Sequence, residues 1–95
     1  MEEGGNERQT DNNYTIIGIP VYNSEETIAS IILSCLEHAD EVVCIDDCSS
    51  DKSAEISKAA GATLISHKIN RGVGGVAKTL FSYAKEKNAS IVVLI

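Results

Sequence analysis

Two adjacent acids, Asp46 and Asp47, are the residues of this sequence best placed to do chemistry. They follow the short apolar run 42–45, and small polar residues separate them from the start of a helical pattern. This arrangement indicates a buried strand that delivers two carboxylates to the C-terminal edge of a sheet, where open α/β sheets bind their ligands. Because paired carboxylates are costly to remove from water without partners, their position favours a ligand site over simple packing.

Two further polar loops are expected to open on the same edge of the sheet. One is the segment 20–25, and the other is the glycine-rich segment 67–75, which carries Lys68 and Arg71. Cationic side chains can meet phosphates, and glycines let backbone N–H groups approach an anion at a helix N-terminus. Together with acids that can accept from a ribose or a base N–H, these loops predict a nucleotide-containing ligand. His67 is interpreted as an exposed residue at a strand end.

The elements that must position these loops alternate along the chain. Strands are predicted at 15–19, 42–45, 63–66 and 91–95, and between them lie helices with apolar faces over 28–36, about 51–60 and 73–84. Pro20 is expected to end the first strand, Asn23 or Ser24 to cap the first helix, and Gly61 to end the second. The alternation predicts an α/β protein with three α/β/α layers around a parallel sheet in the order 3-2-1-4.

Length and composition limit the function classes. Ninety-five residues suit one domain, and a net charge of −6 argues against nucleic acid as the partner. The polar segment 1–13 is predicted to be disordered, leaving 14–95 as the folded domain. No secretory leader or membrane-spanning run is recognised, and three cysteines without paired spacing favour reduced thiols, so we expect a cytoplasmic chain. The cysteines and histidines also lack the spacing of a structural zinc site, and no metal site is predicted.

Three motifs in order resemble one known family. They are I-P-V-Y-N at 19–23, I-D-D-C-S-S-D at 45–51 and N-R-G-V-G-G-V-A at 70–77. Together they are similar to the nucleotide-binding half of family 2 glycosyltransferases, and in particular to dolichyl-phosphate-sugar synthases. The resemblance covers about 16–95 and implies the Rossmann-like half of a GT-A fold. It implies an enzyme that transfers a sugar from a UDP- or GDP-sugar to an acceptor.

The resemblance also implies roles for individual residues. The loop Pro20–Tyr22 would shape the base pocket, and Asp47 would contact the base or the ribose with Asp46 beside it. Arg71 would lie along the nucleotide. Glu25, one position later than the acid that the family commonly carries, is the candidate for that acid's role. No catalytic residue is assigned within this chain.

The family pattern continues beyond the last residue of this sequence. The fourth strand would lead into an acidic D-x-D motif that holds a divalent metal, Mg²⁺ or Mn²⁺, but the sequence ends at Ile95. We therefore expect a domain truncated after its fourth strand, with the metal bound only in the full-length protein and no activity from this part alone. The apolar strand 91–95 would then be an exposed edge through which the chain could self-associate.

Two other readings of the sequence remain open at this stage. The segment 72–79 nearly spells a P-loop and also satisfies the G-x-G-x-x-A pattern of dinucleotide-binding folds, although those loops usually follow the first strand rather than the third. Alternatively, the chain could be a non-enzymatic, flavodoxin-like binding module with Asp46 and Asp47 as its pocket. Binding of ATP or NAD through Lys78 would favour the former, whereas UDP or GDP binding through Asp47 favours the transferase.

Overall fold

The computed structural model of the chain describes residues 13–95. Four strands alternate with three helices in the order β1 (Thr15–Val21), α1 (Ile28–Leu36), β2 (Glu41–Asp46), α2 (Ser53–Ala59), β3 (Thr63–Ser66), α3 (Gly72–Glu86) and β4 (Ile91–Leu94). The predicted α/β alternation is confirmed. All of the segment predicted to be disordered except Asn13 lies outside the described residues.

The four strands form one parallel sheet in the order β3-β2-β1-β4. This is the order predicted from the sequence, and it places the first strand of the described residues in the interior of the sheet. Because all the strands run the same way, the loops that follow β1, β2 and β3 meet at one edge. The polar residues after each strand are therefore neighbours in space.

Two apolar clusters hold helices against opposite faces of the sheet. On one face, α1 and α2 cover a cluster centred on Ile17, Ile19, Val42 and Cys44. On the other face, α3 packs through Val76, Leu80 and Ala84 against Ile16, Val43 and Ile45. Burying both faces explains the nearly continuous apolar runs of β1 and β2. The predicted three-layer architecture is confirmed.

Gly18 allows α3 to lie close to the central strand. A β-carbon at this position would lie 2.3 Å from Leu80 Cδ2 and 2.5 Å from Leu80 Cδ1. Such distances are far inside van der Waals contact, so the absence of a side chain at Gly18 sets the separation between β1 and α3.

β1 continues through Pro20 to Val21, so the prediction that Pro20 ends the strand is wrong. The carbonyl of Val21 accepts from Asp47 N on the β2 side, whereas that of Gly18 accepts from Ile95 N on the β4 side. Because these directions alternate along a strand, the nitrogen of Pro20 faces away from β2, so its missing N–H removes no hydrogen bond from the β1–β2 ladder. A proline is tolerated in a strand where its missing N–H has no ladder partner.

The helix ends show one confirmed and one incorrect prediction. Gly61 has a φ of 108° and follows α2 in the left-handed conformation expected of it. Its N–H donates to Lys58 O, and the next N–H donates to Ser57 O, which completes a Schellman motif. The first helix, however, begins only at Ile28, and Thr27 precedes it without a side-chain cap.

Glu41 organises the sheet edge opposite the functional loops. Its carboxylate accepts hydrogen bonds from the hydroxyls of Tyr14 at 2.8 Å and Thr63 at 2.6 Å, and from that of Tyr83. Burial acts to raise the pKa of Glu41, but these hydrogen bonds outweigh it and hold the pKa below its usual range. The same contact raises the pKa of Tyr14 to about 12. This cluster ties β2 to β3, α3 and the residue before β1.

None of the helices within residues 13–95 has the length and apolar character required to span a bilayer.

Candidate nucleotide site

A cleft of about 340 Å³ opens at the C-terminal edge of the sheet, between the end of β1 and the start of α3. Its lining is apolar at Pro20, Val21, Val73 and Val76, polar at Ser24, Asp47, Asn70 and Gly72, and aromatic at Tyr22. A cleft of this size and mixed lining lies at the lower end of the range for small-molecule sites. The structure thus brings three of the predicted site residues, Pro20, Tyr22 and Asp47, together.

Asp47 joins the cleft to the start of α3. Its Oδ1 accepts from Arg71 N at 2.8 Å, and its Oδ2 accepts from Gly72 N at 2.8 Å. The carboxylate therefore satisfies two of the free N–H groups at the helix N-terminus, where the helix dipole also favours a negative charge. The hydrogen bond from Arg71 N is the largest cause that lowers the pKa of Asp47, followed by the one from His67. Asp47 is consequently an ionised acceptor at neutral pH.

His67 forms a hydrogen bond with Asp47, and the interpretation of His67 as an exposed strand-end residue is wrong. Only 7% of the residue is exposed, and its Nδ1 lies 2.8 Å from Asp47 Oδ1. Because an ionised carboxylate can only accept, Nδ1 carries the proton and donates. The other ring nitrogen, Nε2, lies 2.7 Å from Thr79 Oγ1 on α3. A chain of hydrogen bonds therefore links Asp47, His67 and Thr79.

Asp46 has a different task from its neighbour. It is buried at the end of β2 and accepts from Ser49 N at 3.2 Å and from Ser49 Oγ at 2.5 Å. These bonds close the turn after β2. Cys48, within this turn, has a φ of 72°, a left-handed conformation that a glycine adopts at lower cost. The turn therefore forms with a cysteine in a backbone conformation that favours glycine.

The loops after β1 and β2 are held together by several hydrogen bonds. Asn23 Oδ1 accepts from Ser50 N at 2.8 Å, and Ser24 N donates to Ser53 Oγ at 2.6 Å. Asn23 thus joins two loops instead of capping α1, which explains the incorrect cap prediction. The result is a rigid wall on one side of the cleft.

Glu25 and Arg71 lie near the cleft but do not line it. Glu25 Oε1 accepts from Lys52 N at 3.0 Å, and the residue borders a separate acidic depression that also contains Asp51. Arg71 contributes its backbone N–H to Asp47, while the residue lines a neighbouring groove along α3 with Lys78 and Thr79. The ligand contacts predicted for these two residues stay predictions.

The P-loop reading of residues 72–79 does not fit the structure. A P-loop wraps a phosphate with irregular backbone before its helix begins. Here the helix already begins at Gly72, so the whole segment is helical, and Lys78 lies almost two turns inside α3 on its exposed side. Beyond the first turn of α3, the backbone N–H groups donate to carbonyls within the helix, so they are not free to bind a phosphate.

No metal centre is formed by the part of the chain that the structure describes. Within residues 13–95, no group of three or more histidine, cysteine, aspartate or glutamate side chains is arranged to hold a metal ion. The resemblance places the divalent metal on a motif that would follow residue 95, so the metal stays a prediction for the full-length protein. No chemical step is assigned to a metal here.

Sequence comparison defines the class of protein. Residues 16–95 match the family model described as glycosyl transferase family 2, so the chain belongs to that family. The match begins in β1 and extends over every helix and strand described above.

Individual relatives agree with this membership. The chain is 33% identical over 86 residues to the undecaprenyl-phosphate 4-deoxy-4-formamido-L-arabinose transferase of Pseudomonas aeruginosa, which covers 80% of this chain and 25% of that protein. It is 34% identical over 62 residues to an uncharacterized protein of Methanocaldococcus jannaschii, covering 64% of this chain and 26% of that protein. The chain therefore spans about a quarter of the length of these relatives.

A solved structure shares the fold. Glucosyl-3-phosphoglycerate synthase from Mycobacterium tuberculosis, in complex with Mn²⁺, UDP and glucosyl-3-phosphoglycerate, superposes with a TM-score of 0.67 at 26% identity. The match covers 87% of this chain and 33% of that one. The α/β architecture described here is thus the Rossmann-like part of a GT-A glycosyltransferase fold. Neither the dinucleotide-binding reading nor the binding-module reading is favoured.

His67 and Thr79 are two residues of the site whose roles sequence reasoning missed. They are 12 positions apart and lie on different elements, so no short motif joins them. The only available signal was that His67 directly follows a predicted strand, at the edge where ligands bind. Whether its ring points inward depends on the tertiary packing of α3.

Proposed function

We propose that residues 14–95 form the nucleotide-binding part of an enzyme that transfers a sugar from a UDP- or GDP-sugar to an acceptor. The observation that carries the proposal is the cleft beside Asp47, at the sheet edge where α/β folds bind nucleotides. Family membership supports the reaction class. The cleft can take a nucleoside, while the sugar and acceptor would contact residues outside this chain.

The cleft residues have distinct proposed roles. Pro20 and Tyr22 form the wall on which the base packs, and 56% of Tyr22 is exposed and thus available for stacking. Asp47 accepts a hydrogen bond from the base or the ribose. Asp46 acts indirectly by closing the turn after β2, Glu25 keeps the ligand contact predicted for it, and the guanidinium of Arg71 would attract the diphosphate from the neighbouring groove.

The metal and the acceptor belong to the proposed whole enzyme. The structural neighbour is a complex with both Mn²⁺ and UDP, which supports a divalent metal, Mg²⁺ or Mn²⁺, beside the diphosphate in the full-length protein. The name of the Pseudomonas aeruginosa relative supports a polyprenyl phosphate as the acceptor class. Because the described residues form no metal centre, we expect no sugar transfer by this chain alone. Its three free cysteines support a cytoplasmic location.

The open edge of the sheet gives the chain a proposed means of self-association. β4 is an edge strand, and Ile91, Val93 and Ile95 are 45–60% exposed on one of its faces. An apolar edge strand of this kind is a template for pairing with another chain. We therefore propose that a second copy pairs with β4 at high concentration.

Calorimetric titration of the chain with UDP and GDP tests the proposed site. We expect binding of at least one nucleotide, and about a tenfold loss of affinity in Asp47→Asn, the effect of weakening one charged hydrogen bond. Glu55→Gln, an exposed charge change on α2, is the matched control and should bind as the wild type does.

A second variant tests the same cleft through an exposed residue, so that its effect on nucleotide binding is separated from any effect on folding. Val73 lines the cleft and is 81% exposed, so Val73→Glu adds a negative charge beside the proposed diphosphate without disturbing the core. It should weaken binding by like-charge repulsion. Equal nucleotide affinity in the wild type, Asp47→Asn and Val73→Glu would rule out this cleft as the site.

A further inference from the structure

The Asp47 carboxylate has nearly all of its acceptor capacity occupied by the protein. A carboxylate offers about four lone-pair positions, two on each oxygen. Oδ1 accepts from both His67 Nδ1 and Arg71 N at 2.8 Å, while Oδ2 accepts from Gly72 N at 2.8 Å. Among the described residues, no other group donates to this side chain. Oδ1 is therefore saturated, and Oδ2 keeps a single acceptor position.

His67 is held in an orientation in which its Nδ1 continuously occupies one acceptor position of Asp47 Oδ1. The ring is 7% exposed, and its far nitrogen is fixed by Thr79 Oγ1 at 2.7 Å. A ring anchored at both nitrogens cannot turn away when a ligand arrives. The Arg71 and Gly72 N–H groups belong to the start of α3 and are equally fixed.

We propose that His67 is a positioning residue that makes the cleft select a uracil base over guanine, by leaving Asp47 one acceptor position for the ligand. This inference rests on the proposed function, since it requires a nucleotide in the cleft. Uracil presents one N–H donor, at N3, between two carbonyl oxygens. Guanine presents two adjacent donors, N1–H and the exocyclic amino group, which pair with a carboxylate only when both of its oxygens can accept.

The rest of the cleft increases the penalty for the wrong base. The buried part of its lining is apolar at Val21 and Val76, and these side chains offer no acceptor for a second donor. A guanine placed against Asp47 would direct one N–H at the saturated Oδ1, which has no acceptor position left for it. Sites of this kind discriminate strongly, because an unpaired buried donor loses its hydrogen bonds to water.

Ligand titrations on the unmodified chain give the first test. We expect UDP to bind at least about tenfold more tightly than GDP, the effect expected of one unpaired buried donor. UDP methylated at N3 lacks the donor, so it should also lose about tenfold. Equal affinity for UDP and GDP, or an N3-methyl UDP that binds as well as UDP, would overturn the proposal. Neither measurement depends on a variant that must fold.

Two variants at His67 give the second test. His67→Leu removes the donor and frees a position on Oδ1, so the UDP-to-GDP affinity ratio should fall about fivefold, the effect of one additional net hydrogen bond to guanine. His67→Asn keeps an N–H in the place of Nδ1 and should restore the ratio. A general loosening of the site would weaken both nucleotides together and leave the ratio unchanged.

The possible failures are distinguishable. An unchanged ratio in folded His67→Leu contradicts the role of His67 while nucleotide binding in the cleft stands. Failure of both UDP and GDP to bind contradicts the proposed function itself.

Discussion

Replacement of Gly18 by alanine should destabilise the domain strongly for so small a change. The added β-carbon would lie 2.3, 2.5 and 2.9 Å from three side-chain atoms of Leu80, which is fully buried. Leu80 is enclosed by the sheet on one side and its own helix on the other, so it cannot move without displacing α3. Overpacking of this kind costs about 1–3 kcal/mol, and three simultaneous clashes place Gly18→Ala in the upper half of that range.

A double-mutant cycle isolates the contact. Leu80→Ala alone should cost about 2–5 kcal/mol, because it leaves a cavity in the α3 core. In the double variant the new methyl group at position 18 occupies part of that cavity. The two effects should therefore not add, and the double variant should be more stable than their sum by about 1–2 kcal/mol.

Urea unfolding followed by circular dichroism at 222 nm provides the free energies. Gly74→Ala is the matched control, since Gly74 is helical and a β-carbon there meets nothing within 4 Å. That variant should be neutral or more stable by up to about 1 kcal/mol. If Gly18→Ala is as stable as the wild type, or if the cycle is additive, the close approach of β1 and α3 is not what positions the helix.

Three further predictions concern other parts of the domain. The folded-state pKa of Glu41 lies below its unfolded value of about 4.3, so the stability that its carboxylate contributes is complete above that value and is lost as the pH falls through the folded pKa. The difference in the free energy of unfolding between wild type and Glu41→Gln, measured in urea melts, should therefore shrink from pH 7 to pH 3. A constant difference would contradict this. Cys48→Gly should raise the free energy of unfolding by about 0.5–1 kcal/mol by relieving the left-handed backbone, and a loss of stability in the same melts would show that the turn is unstrained. Val93→Lys should abolish self-association in sedimentation experiments by placing a charge on the edge strand, whereas a wild-type chain that stays monomeric at high concentration would refute the pairing.

The layer architecture could be predicted from the sequence because each element carries its own signal. The apolar runs of the strands and the spaced apolar residues of the helices repeat with the periods of those structures. The signal for the end of α2 at Gly61 is equally local, since it depends on one residue in one backbone conformation. The prediction for Pro20 was wrong because tolerance of proline depends on which neighbouring strand its missing N–H faces, which the sequence around it does not encode.

The site was predictable only in part, for a similar reason. Asp47 could be placed at the ligand edge because it directly follows a strand. The use of its oxygens by His67, and the fixing of His67 by Thr79, depend on how α3 packs across the sheet. The hydrogen bond of the Glu25 carboxylate to Lys52 N, outside the cleft, could not be predicted from the sequence either.

Mapping of UDP binding by amide chemical shifts in the ¹⁵N-labelled chain tests the central claim most directly. A nucleotide in the cleft should shift the signals of Tyr22, Asp47, Gly72 and Val73, and leave Glu41 at the opposite sheet edge unchanged. That pattern is the predicted result. Signals that stay in place up to millimolar UDP and GDP, or shifts confined to residues away from the cleft, would contradict the assignment of this edge as the nucleotide site.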